Sequence, residues 1–246
     1  MGSYKKMAYQ PLNNQTELSI EDDFCYKNNV LNADKEQRIG FLRKVYSILS
    51  IQVTLTALIC GVAISSPSLK TFIQTHIDLV PMVSIVTFMV LIWLHVERKN
   101  YPRNFYLLGA FTVLQAISVA AICTMYDSWI VVKAAVITAT VFGSLTMYTF
   151  TSKKDYSSWG AGLFAALWIF IVMSFMHVVF FRESAIADEV MASLGAGLFC
   201  LFIIFDTHMI MKRLSPEEYI VASINLYLDI INLFLEILRI MGQERR

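Results

Sequence analysis

Charged residues are scarce in this sequence: Asp, Glu, Lys and Arg make up only 16% of its 246 residues, while 57% are hydrophobic. This composition excludes an ordinary soluble enzyme and a secreted module, and it predicts a membrane protein. The net charge of +1 gives no bulk electrostatic reason to expect a nucleic-acid partner. Cysteine is scarce too, and its placement predicts neither a disulfide framework nor a metal site. The four cysteines are Cys25, Cys60, Cys123 and Cys200.

Long apolar runs fill the chain after a polar start. Residues 1–40 lack periodic apolar positions and are predicted to form a mostly disordered tail. Residues 41–246 are predicted to form one helical transmembrane domain, because their apolar runs can each cross about 30 Å of hydrocarbon. The runs are approximately 45–66, 79–96, 105–126, 129–150, 159–181, 191–211 and a more polar seventh at 219–241. The predicted fold class is therefore an all-α, polytopic membrane protein.

Lysine and arginine alternate between the two sides of this arrangement. They concentrate before the first run and in the connections that begin at residues 97, 151 and 212. The positive-inside rule makes these segments, and hence the N-terminus, cytosolic. The seventh run breaks the pattern, since a full span would place Arg245 and Arg246 on the other side. A re-entrant segment would keep them cytosolic, but its non-helical backbone would have to be buried in protein. The continuous length of the run favours a full span.

A polar stripe follows one face of the seventh run. Asn225, Asp229, Asn232, Glu236 and Arg239 succeed each other at spacings of four, three, four and three. These spacings place all five residues on one face of a helix. In an otherwise apolar protein, that face must turn towards other helices or towards water. Glu236 and Arg239 are interpreted as an i,i+3 ion pair near the membrane surface.

Two acids lie deeper, one in each of the last two runs. Asp206 comes about nine residues before the Leu214–Glu218 connection and Asp229 about eleven after it, so antiparallel helices bring them to a similar depth. Intramembrane acids usually mark ion or proton paths, and two carboxyls that meet there can share a proton. Asp206 and Asp229 are therefore predicted to be a pH-sensing, gating pair. The alternative is a pair of satisfied polar residues that hold the two helices together.

Three polar neighbours are placed to tune this pair. His208 lies two residues from Asp206, and Asn225 and Asn232 lie about one turn on either side of Asp229. The histidine spacing matches no metal motif. The sequence also lacks a serine–histidine pairing, a phosphate loop and a nucleotide signature. We therefore expect no enzyme activity, no catalytic residue, no bound metal and no cofactor.

The connection before the seventh run has the signals of a helix start. Ser215 is the predicted N-cap, Pro216 fits the first helical position, and Glu218 would complete a capping box. Glu217 is left to face either a cytosolic vestibule or plain solvent.

Small and hydroxyl-bearing residues predict how the helices pack. Ser193 and Gly197 form a small-xxx-small pair in the sixth run, as do Ala192 and Ala196. Several polar side chains of the third and fourth runs are expected to hydrogen-bond between helices. They are Gln115, Ser118, Thr138, Thr140 and Ser144.

Several separate motifs resemble the transmembrane BAX inhibitor motif (Lifeguard) family. Two come from the end of the chain, Leu214-Ser-Pro-Glu-Glu-Tyr219 and Leu226-Tyr-Leu-Asp-Ile-Ile-Asn-Leu-Phe234. The others are Phe41-Leu-Arg-Lys-Val-Tyr-Ser-Ile-Leu-Ser50, Tyr148-Thr-Phe-Thr-Ser-Lys-Lys-Asp155 and Phe202-Ile-Ile-Phe-Asp-Thr-His208. In the tail, Ser19-Ile-Glu-Asp-Asp-Phe24 narrows the likeness to one branch of the family.

The resemblance implies a BAX inhibitor-type fold of seven transmembrane helices, or six plus a re-entrant C-terminal segment, in Golgi and endoplasmic reticulum membranes. It implies a calcium-permeable, cation-selective leak that lowers stored calcium and inhibits apoptosis. Its partners would be calcium and other cations, with calcium as the permeant ion, and the lipid bilayer. The family's di-aspartyl pH sensor would fall on Asp206 and Asp229, and the acidic pore positions of that branch on Glu217 and Asp229. Bacterial relatives also have an arginine partner for the first aspartate, and its counterpart cannot be assigned here, to Arg98 or to any other arginine.

Three other functions stay open. A Ca²⁺/H⁺ exchanger of the same membranes would use the same protonatable pair. A non-conducting scaffold for apoptosis or calcium-release regulators would need no transport at all. An intramembrane aspartyl protease also uses two facing aspartates. However, Asp229 lies in Leu226-Tyr-Leu-Asp229, without the Gly-x-Gly-Asp of such proteases.

Overall fold

The structure, a computed structural model, describes residues 35–180 and 184–243. In these ranges all regular secondary structure is helical. The α-helices are α1 (Lys35–Ser65), α2 (Pro67–Thr75), α3 (Val80–Glu97), α4 (Arg103–Cys123), α5 (Ser128–Thr151), α6 (Gly160–Phe180), α7 (Ala185–Lys212) and α8 (Tyr219–Gln243). All of these except α2 are long and apolar enough to cross a membrane. The predicted fold class is confirmed.

Two helices begin well before the predicted apolar runs. α1 starts at Lys35, inside the segment predicted as a disordered tail, and α7 starts at Ala185 rather than at residue 191. At 1.5 Å per residue, α1 is about 46 Å long, so it extends past a hydrocarbon core of about 30 Å. Charged side chains are tolerated on the projecting turns, which explains why a search for apolar runs placed both starts too late. Residues 1–34, 181–183 and 244–246 lie outside the described residues, and with them the rest of the predicted tail and both C-terminal arginines.

The short helix α2 was not expected from the sequence. It lies in the connection between the first two spans, and Ser66 caps it by accepting a hydrogen bond from the Leu69 N–H (3.5 Å). Gln74 Nε2 donates to the Thr124 carbonyl (2.7 Å), which fastens α2 to the end of α4. Nine residues are too few to cross a membrane, so α2 gives no signal in a search for spanning runs.

α8 lies at the centre of the helical bundle. It packs against α1, α4, α5 and α7, whereas α3 packs mainly on α4, and α6 on α7. More than half of its apolar stretch (56%) is buried inside the protein, against 11% for the spans that contain α3 and α6. Apolar residues such as Leu226 and Leu233 are buried as well as Asp229. α8 is one continuous helix that is long and apolar enough for a full span, and it is not broken into a re-entrant hairpin.

Most serine and threonine hydroxyl groups of α4 and α5 donate to carbonyls of their own helices. Four of those predicted to join helices donate instead to the carbonyl four residues earlier, so that prediction is wrong for them. They are Ser118, Thr138, Thr140 and Ser144. Polar contacts between helices come from α1: Gln52 Nε2 donates to Thr112 (3.0 Å), and Thr56 shares a hydrogen bond with the Tyr227 hydroxyl of α8 (2.8 Å).

Gly195 marks a tight contact of α7 with its neighbours. A Cβ on this residue would lie 2.7 Å from Phe170 Cζ and 2.8 Å from Glu236 Cδ. Ser193 and Gly197, by contrast, are exposed. Among the described residues, no atom lies within 4 Å of a Cβ built on Gly197. The prediction that Ser193 and Gly197 form a packing pair is therefore wrong.

Connections predicted to share one side of the membrane contact each other. Arg98, after α3, pairs with Glu218, before α8 (3.8 Å), and Arg213, after α7, pairs with Asp155, after α5 (3.4 Å). The alternation of helix directions that the positive residues predict is therefore present. We refer to the end that carries residues 214–218 as the predicted cytosolic end and to the opposite end as the predicted lumenal end.

Candidate functional site

Two carboxyls, one from α7 and one from α8, face each other inside the bundle. Asp206 is half-buried and Asp229 is only 6% exposed, and their side chains lie within hydrogen-bonding reach of each other. Ionised carboxylates only accept hydrogen bonds, so a bond between the two requires one shared proton. Without that proton, Asp229 Oδ2 has no hydrogen-bond partner among the described residues. Two like charges would then lie close together in the protein interior.

A cavity of about 430 Å³ lies beside Asp229, between α6, α7 and α8. We call it the chamber. Asp229, Asn232 and Glu236 line it from α8, and Ser174 lines it from α6. Apolar and aromatic side chains complete the wall: Leu167, Phe170, Ile171, Phe199 and Phe202. One water needs about 10–15 Å³ of such space, so the chamber has room for an ion with part of its hydration shell.

The polar groups that α8 presents to the chamber include oxygens. Asn232 Nδ2 uses one of its two N–H groups to donate to the Leu228 carbonyl (2.8 Å), and the amide oxygen remains available as an acceptor. Glu236 Oε2, like Asp229 Oδ2, is a buried oxygen that accepts no hydrogen bond from the described residues, although the Arg239 guanidinium lies 3.6 Å from Glu236 Oε2. Oxygen atoms without a donor in a cavity are suited to accept a cation.

An ion-pair network lies at the predicted lumenal end of the chamber. Arg239 Nη2 donates to Asp188 Oδ1 of α7 (2.6 Å), while Arg239 Nη1 lies 3.6 Å from Glu236 Oε2. His177 Nε2 of α6 lies 3.5 Å from the same Asp188 oxygen. The predicted pair of Glu236 and Arg239 is therefore present, but the shorter contact of Arg239 is with Asp188.

A second network ties the predicted cytosolic ends of α5 and α7 together. Asp155 accepts hydrogen bonds from the Ser157 backbone N–H (3.0 Å) and from His208 Nε2 (2.8 Å), and Arg213 lies 3.4 Å away. The hydrogen bonds from Ser157, with a smaller contribution from His208, hold the pKa of Asp155 below its ordinary value. His208 was expected to tune Asp206, but its ring binds Asp155 instead. Residues two apart on a helix point about 200° away from each other, so the two side chains diverge.

Glu217 is separate from the aspartate pair. It is exposed at the predicted cytosolic end, and along the helix axis it is about 18 Å from Asp229. Ser215 is the N-cap, as predicted, but its hydroxyl accepts from the Glu217 N–H (3.5 Å). Glu218 does not complete a capping box, because its carboxylate pairs with Arg98. Arg98 is thus engaged away from both aspartates.

Sequence comparison decides the family. A family model described as "Bax1-I: Inhibitor of apoptosis-promoting Bax1" matches residues 38–246. The chain belongs to this family. The resemblance inferred from the motifs is thereby confirmed.

Individual relatives of the Bax1-I family match over most of their length. Protein lifeguard 4 of Mus musculus is 46% identical over 223 residues, which cover 91% of this chain and 93% of the relative. The Golgi anti-apoptotic protein of Vaccinia virus (strain Lister) is 43% identical with the same coverage. Bax inhibitor 1 of Schizosaccharomyces pombe is 36% identical over 236 residues, or 96% of this chain and 88% of the relative. The first two belong to the branch that the motifs indicated.

Sequence reasoning missed several residues around the chamber. Asp188 and His177 were not linked to α8, and Gly195 was overlooked in favour of its small neighbours. Glu236 was placed on the polar stripe but was interpreted as a surface ion pair. The stripe spacing was the available signal, since it puts Glu236 on the same face as Asp229.

Proposed function

We propose that this member of the Bax1-I family is a calcium-permeable, pH-sensitive cation leak of Golgi and endoplasmic reticulum membranes that inhibits apoptosis by lowering stored calcium. The observation that supports it is the buried pair Asp206 and Asp229 beside a cavity in a bundle of membrane-spanning helices. A charged residue at the centre of a bilayer costs about 2.5–3.5 kcal/mol on insertion scales. A buried acid with a purely structural function would have a hydrogen-bond donor for each carboxyl oxygen. Asp229 Oδ2 has none among the described residues, and a function in ion passage accounts for this.

The names of the relatives supply the biological setting of the proposal. The family description refers to inhibition of apoptosis-promoting Bax1, and the viral relative is named a Golgi anti-apoptotic protein. A lower calcium content of internal stores leaves less calcium to be released towards a death signal. Conduction and protection then follow from a single activity.

The proton shared by the aspartates is the proposed gate. With the proton present, a hydrogen bond joins α7 to α8 and the pair carries one charge. Loss of the proton leaves two negative charges in a low dielectric, and their repulsion parts the helices. A cation that enters between them compensates the charge. Glu217, at the predicted cytosolic end, raises the local cation concentration at the mouth.

Calcium flux through the purified protein in liposomes tests this proposal. We expect flux above that of protein-free liposomes, and we expect it to rise as pH increases through the titration of the pair. Absence of calcium flux at every pH, in protein shown to be folded, would contradict the leak and favour a non-conducting scaffold.

A Ca²⁺/H⁺ exchanger is the second candidate, because a protonatable acid pair serves either mechanism. An imposed proton gradient separates the two. In an exchanger the gradient drives calcium across the membrane without a calcium gradient. In a leak the proton gradient changes the rate but does not move calcium on its own.

The proposed orientation places the N-terminus in the cytosol. Protease added to intact Golgi vesicles should remove an N-terminal tag, and a C-terminal tag should be protected because α8 spans fully. An N-terminal tag that resists protease until detergent is added would reverse the orientation.

A further inference from the structure

The polar stripe of α8 continues past Asp229 towards the predicted lumenal end, and its next two residues also line the chamber. Asn232 lies three residues after Asp229, and Glu236 four residues after Asn232, so neighbours along this series are one helical turn apart. From Asp229 to Glu236 the rise is about 10 Å. That distance is too long for one cation to bind both carboxylates, since calcium–oxygen distances are about 2.3–2.6 Å.

We infer that the chamber holds two adjacent cation positions, one between Asp229 and Asn232 and one between Asn232 and Glu236, and that Arg239 competes with the ion for Glu236. The inference rests on the proposed cation leak and adds to it a lumenal binding site and a competing internal cation.

The oxygens of the chamber carry this assignment. Asp229 is only 6% exposed, it lines the chamber, and within the described parts of the chain its Oδ2 atom has no hydrogen-bond partner. Carboxylate and amide oxygens are the protein ligands that calcium prefers, and it takes six to eight oxygens in all. Each position offers only two side chains, so water supplies the remaining ligands, and the cavity has space for it.

Such incomplete coordination fits a conducted ion better than a stored one. An ion that passes must bind well enough to enter and weakly enough to leave. In residues 35–180 and 184–243, no group of three or more His, Cys, Asp or Glu side chains could hold a metal ion. Asn232, which the two positions share, lets an ion move from one carboxylate to the other without being fully released.

Arg239 acts as an internal cation at the lumenal position. Its guanidinium is divided between Asp188 (2.6 Å) and Glu236 (3.6 Å). When both acids are ionised and His177, which lies 3.5 Å from Asp188, is neutral, one arginine balances only one of the two charges, so the network attracts a further cation. An arriving ion displaces Arg239 from Glu236, and Asp188 retains the arginine.

Gly195 provides the space that the Glu236 carboxyl occupies. A Cβ on Gly195 would lie 2.8 Å from Glu236 Cδ and 2.7 Å from Phe170 Cζ. Gly195→Ala therefore displaces the carboxyl without changing any charge. Gly197→Ala is the matched control on the same helix, because the described residues leave open space around its Cβ.

The test measures calcium flux in liposomes over a range of calcium concentrations. Glu236→Gln should raise the half-saturating calcium concentration about tenfold, because the lumenal position loses its only carboxylate. Arg239→Gln should lower it several-fold, because the competitor is removed. Gly195→Ala should act like Glu236→Gln but more weakly, and Gly197→Ala should match the wild type. Glu218→Gln, which removes an acid outside the chamber, is the control for loss of charge.

The opposite direction of the two shifts distinguishes a binding site from a structural ion pair. If Glu236 and Arg239 merely hold each other, both substitutions break the same contact and must change flux in the same direction. That result, or wild-type flux in Glu236→Gln, would overturn the inference.

A binding measurement separates this inference from the proposed leak. Calcium that binds the folded protein raises its Tm in detergent, and the rise should be smaller in Glu236→Gln, which loses one of the two positions, and unchanged in Glu218→Gln. If this pattern appears without flux in the wild type, the site stands and the leak fails. Flux in the wild type without any effect of Glu236→Gln on flux or on the Tm rise leaves the leak and removes the site.

Discussion

The acids near the predicted cytosolic end of α7 and α8 differ in their partners from the acids around the chamber. At the predicted cytosolic end, Asp155 accepts hydrogen bonds from Ser157 and His208, and Glu218 pairs with Arg98 in partly exposed positions. Around the chamber, Asp229 Oδ2 is a buried oxygen that finds no hydrogen-bond donor in the described parts of the chain, and Glu236 Oε2 has only the Arg239 guanidinium at 3.6 Å, which Arg239 shares with Asp188. An acid with its donors in place fixes a connection between helices, whereas a buried acid without a donor leaves a place for a ligand.

The largest expected effect follows from removal of one charge from the aspartate pair. Asp206→Asn and Asp229→Asn should each abolish most of the pH dependence of calcium flux, because the repulsion between two ionised carboxyls is lost. Flux measured in liposomes across a pH series checks this. The double variant should be no worse than the more affected single variant, because the two residues act as a unit. A pH–flux curve that keeps its shape in either single variant would reduce the pair to structural contacts.

Glu217→Gln should have a smaller, partial effect. Glu217 is exposed at the mouth, so it acts only by raising the local cation concentration. We expect conductance to fall about twofold at low salt and the difference to shrink at higher ionic strength, because salt screens exposed charges. Single-channel recordings at two salt concentrations are the measurement. A loss that is equally large at high salt would place Glu217 inside the pathway and not at its mouth.

Asp155→Asn should change stability but not the pH response. Hydrogen bonds hold the pKa of Asp155 below its ordinary value, so the carboxylate stays ionised through the neutral range. Its stabilising contribution is present above the ordinary carboxyl pKa and is lost only as pH falls through the lowered value. We therefore expect a lower Tm in detergent at neutral pH, together with a pH–flux curve like that of the wild type. A shifted curve would mean that the cytosolic network takes part in gating.

Glu218→Gln should have the smallest effect. The pair of Arg98 and Glu218 is long (3.8 Å), and its side chains are 40% and 27% exposed. Such pairs contribute about 0.5 kcal/mol or less, so the Tm should fall by a degree or two at most. Flux should be unchanged. A large loss of flux in this variant would show that charge at the predicted cytosolic end matters regardless of its position.

The depth of a residue was predictable from the sequence, and its direction around the helix was not. A fixed rise per residue places Asp206 and Asp229 at a broadly similar level once their helices are known to be consecutive. It does not say which neighbour a side chain meets, and for this reason His208 was assigned to Asp206 although it binds Asp155. Within one helix the stripe spacing was reliable, since Asp229, Asn232 and Glu236 do line one cavity.

The predictions about the hydroxyl groups of α4 and α5 and about the packing of Ser193 and Gly197 were wrong for local reasons. A carbonyl four residues earlier is always within reach of a serine or threonine in a helix. Residues such as Thr138 and Ser144 therefore need no neighbouring helix. For the glycines, the small-xxx-small spacing is satisfied on several faces of α7. Which face packs depends on the bulk of the opposing side chains, here Phe170 and Glu236 against Gly195.

The position of α8 in the chain has a consequence for biosynthesis. The helix that contacts α1, α4, α5 and α7 comes after all the other described helices in the chain, so the ribosome makes it after them. Six spans are therefore made before α8, around which they pack. Polar groups that contact α8 in the folded protein, such as the Thr56 hydroxyl, have no partner there until α8 has been made. The bundle is therefore completed only once α8 has been made, and a chain truncated before residue 219 would contain the other described spans but none of the helix around which they pack.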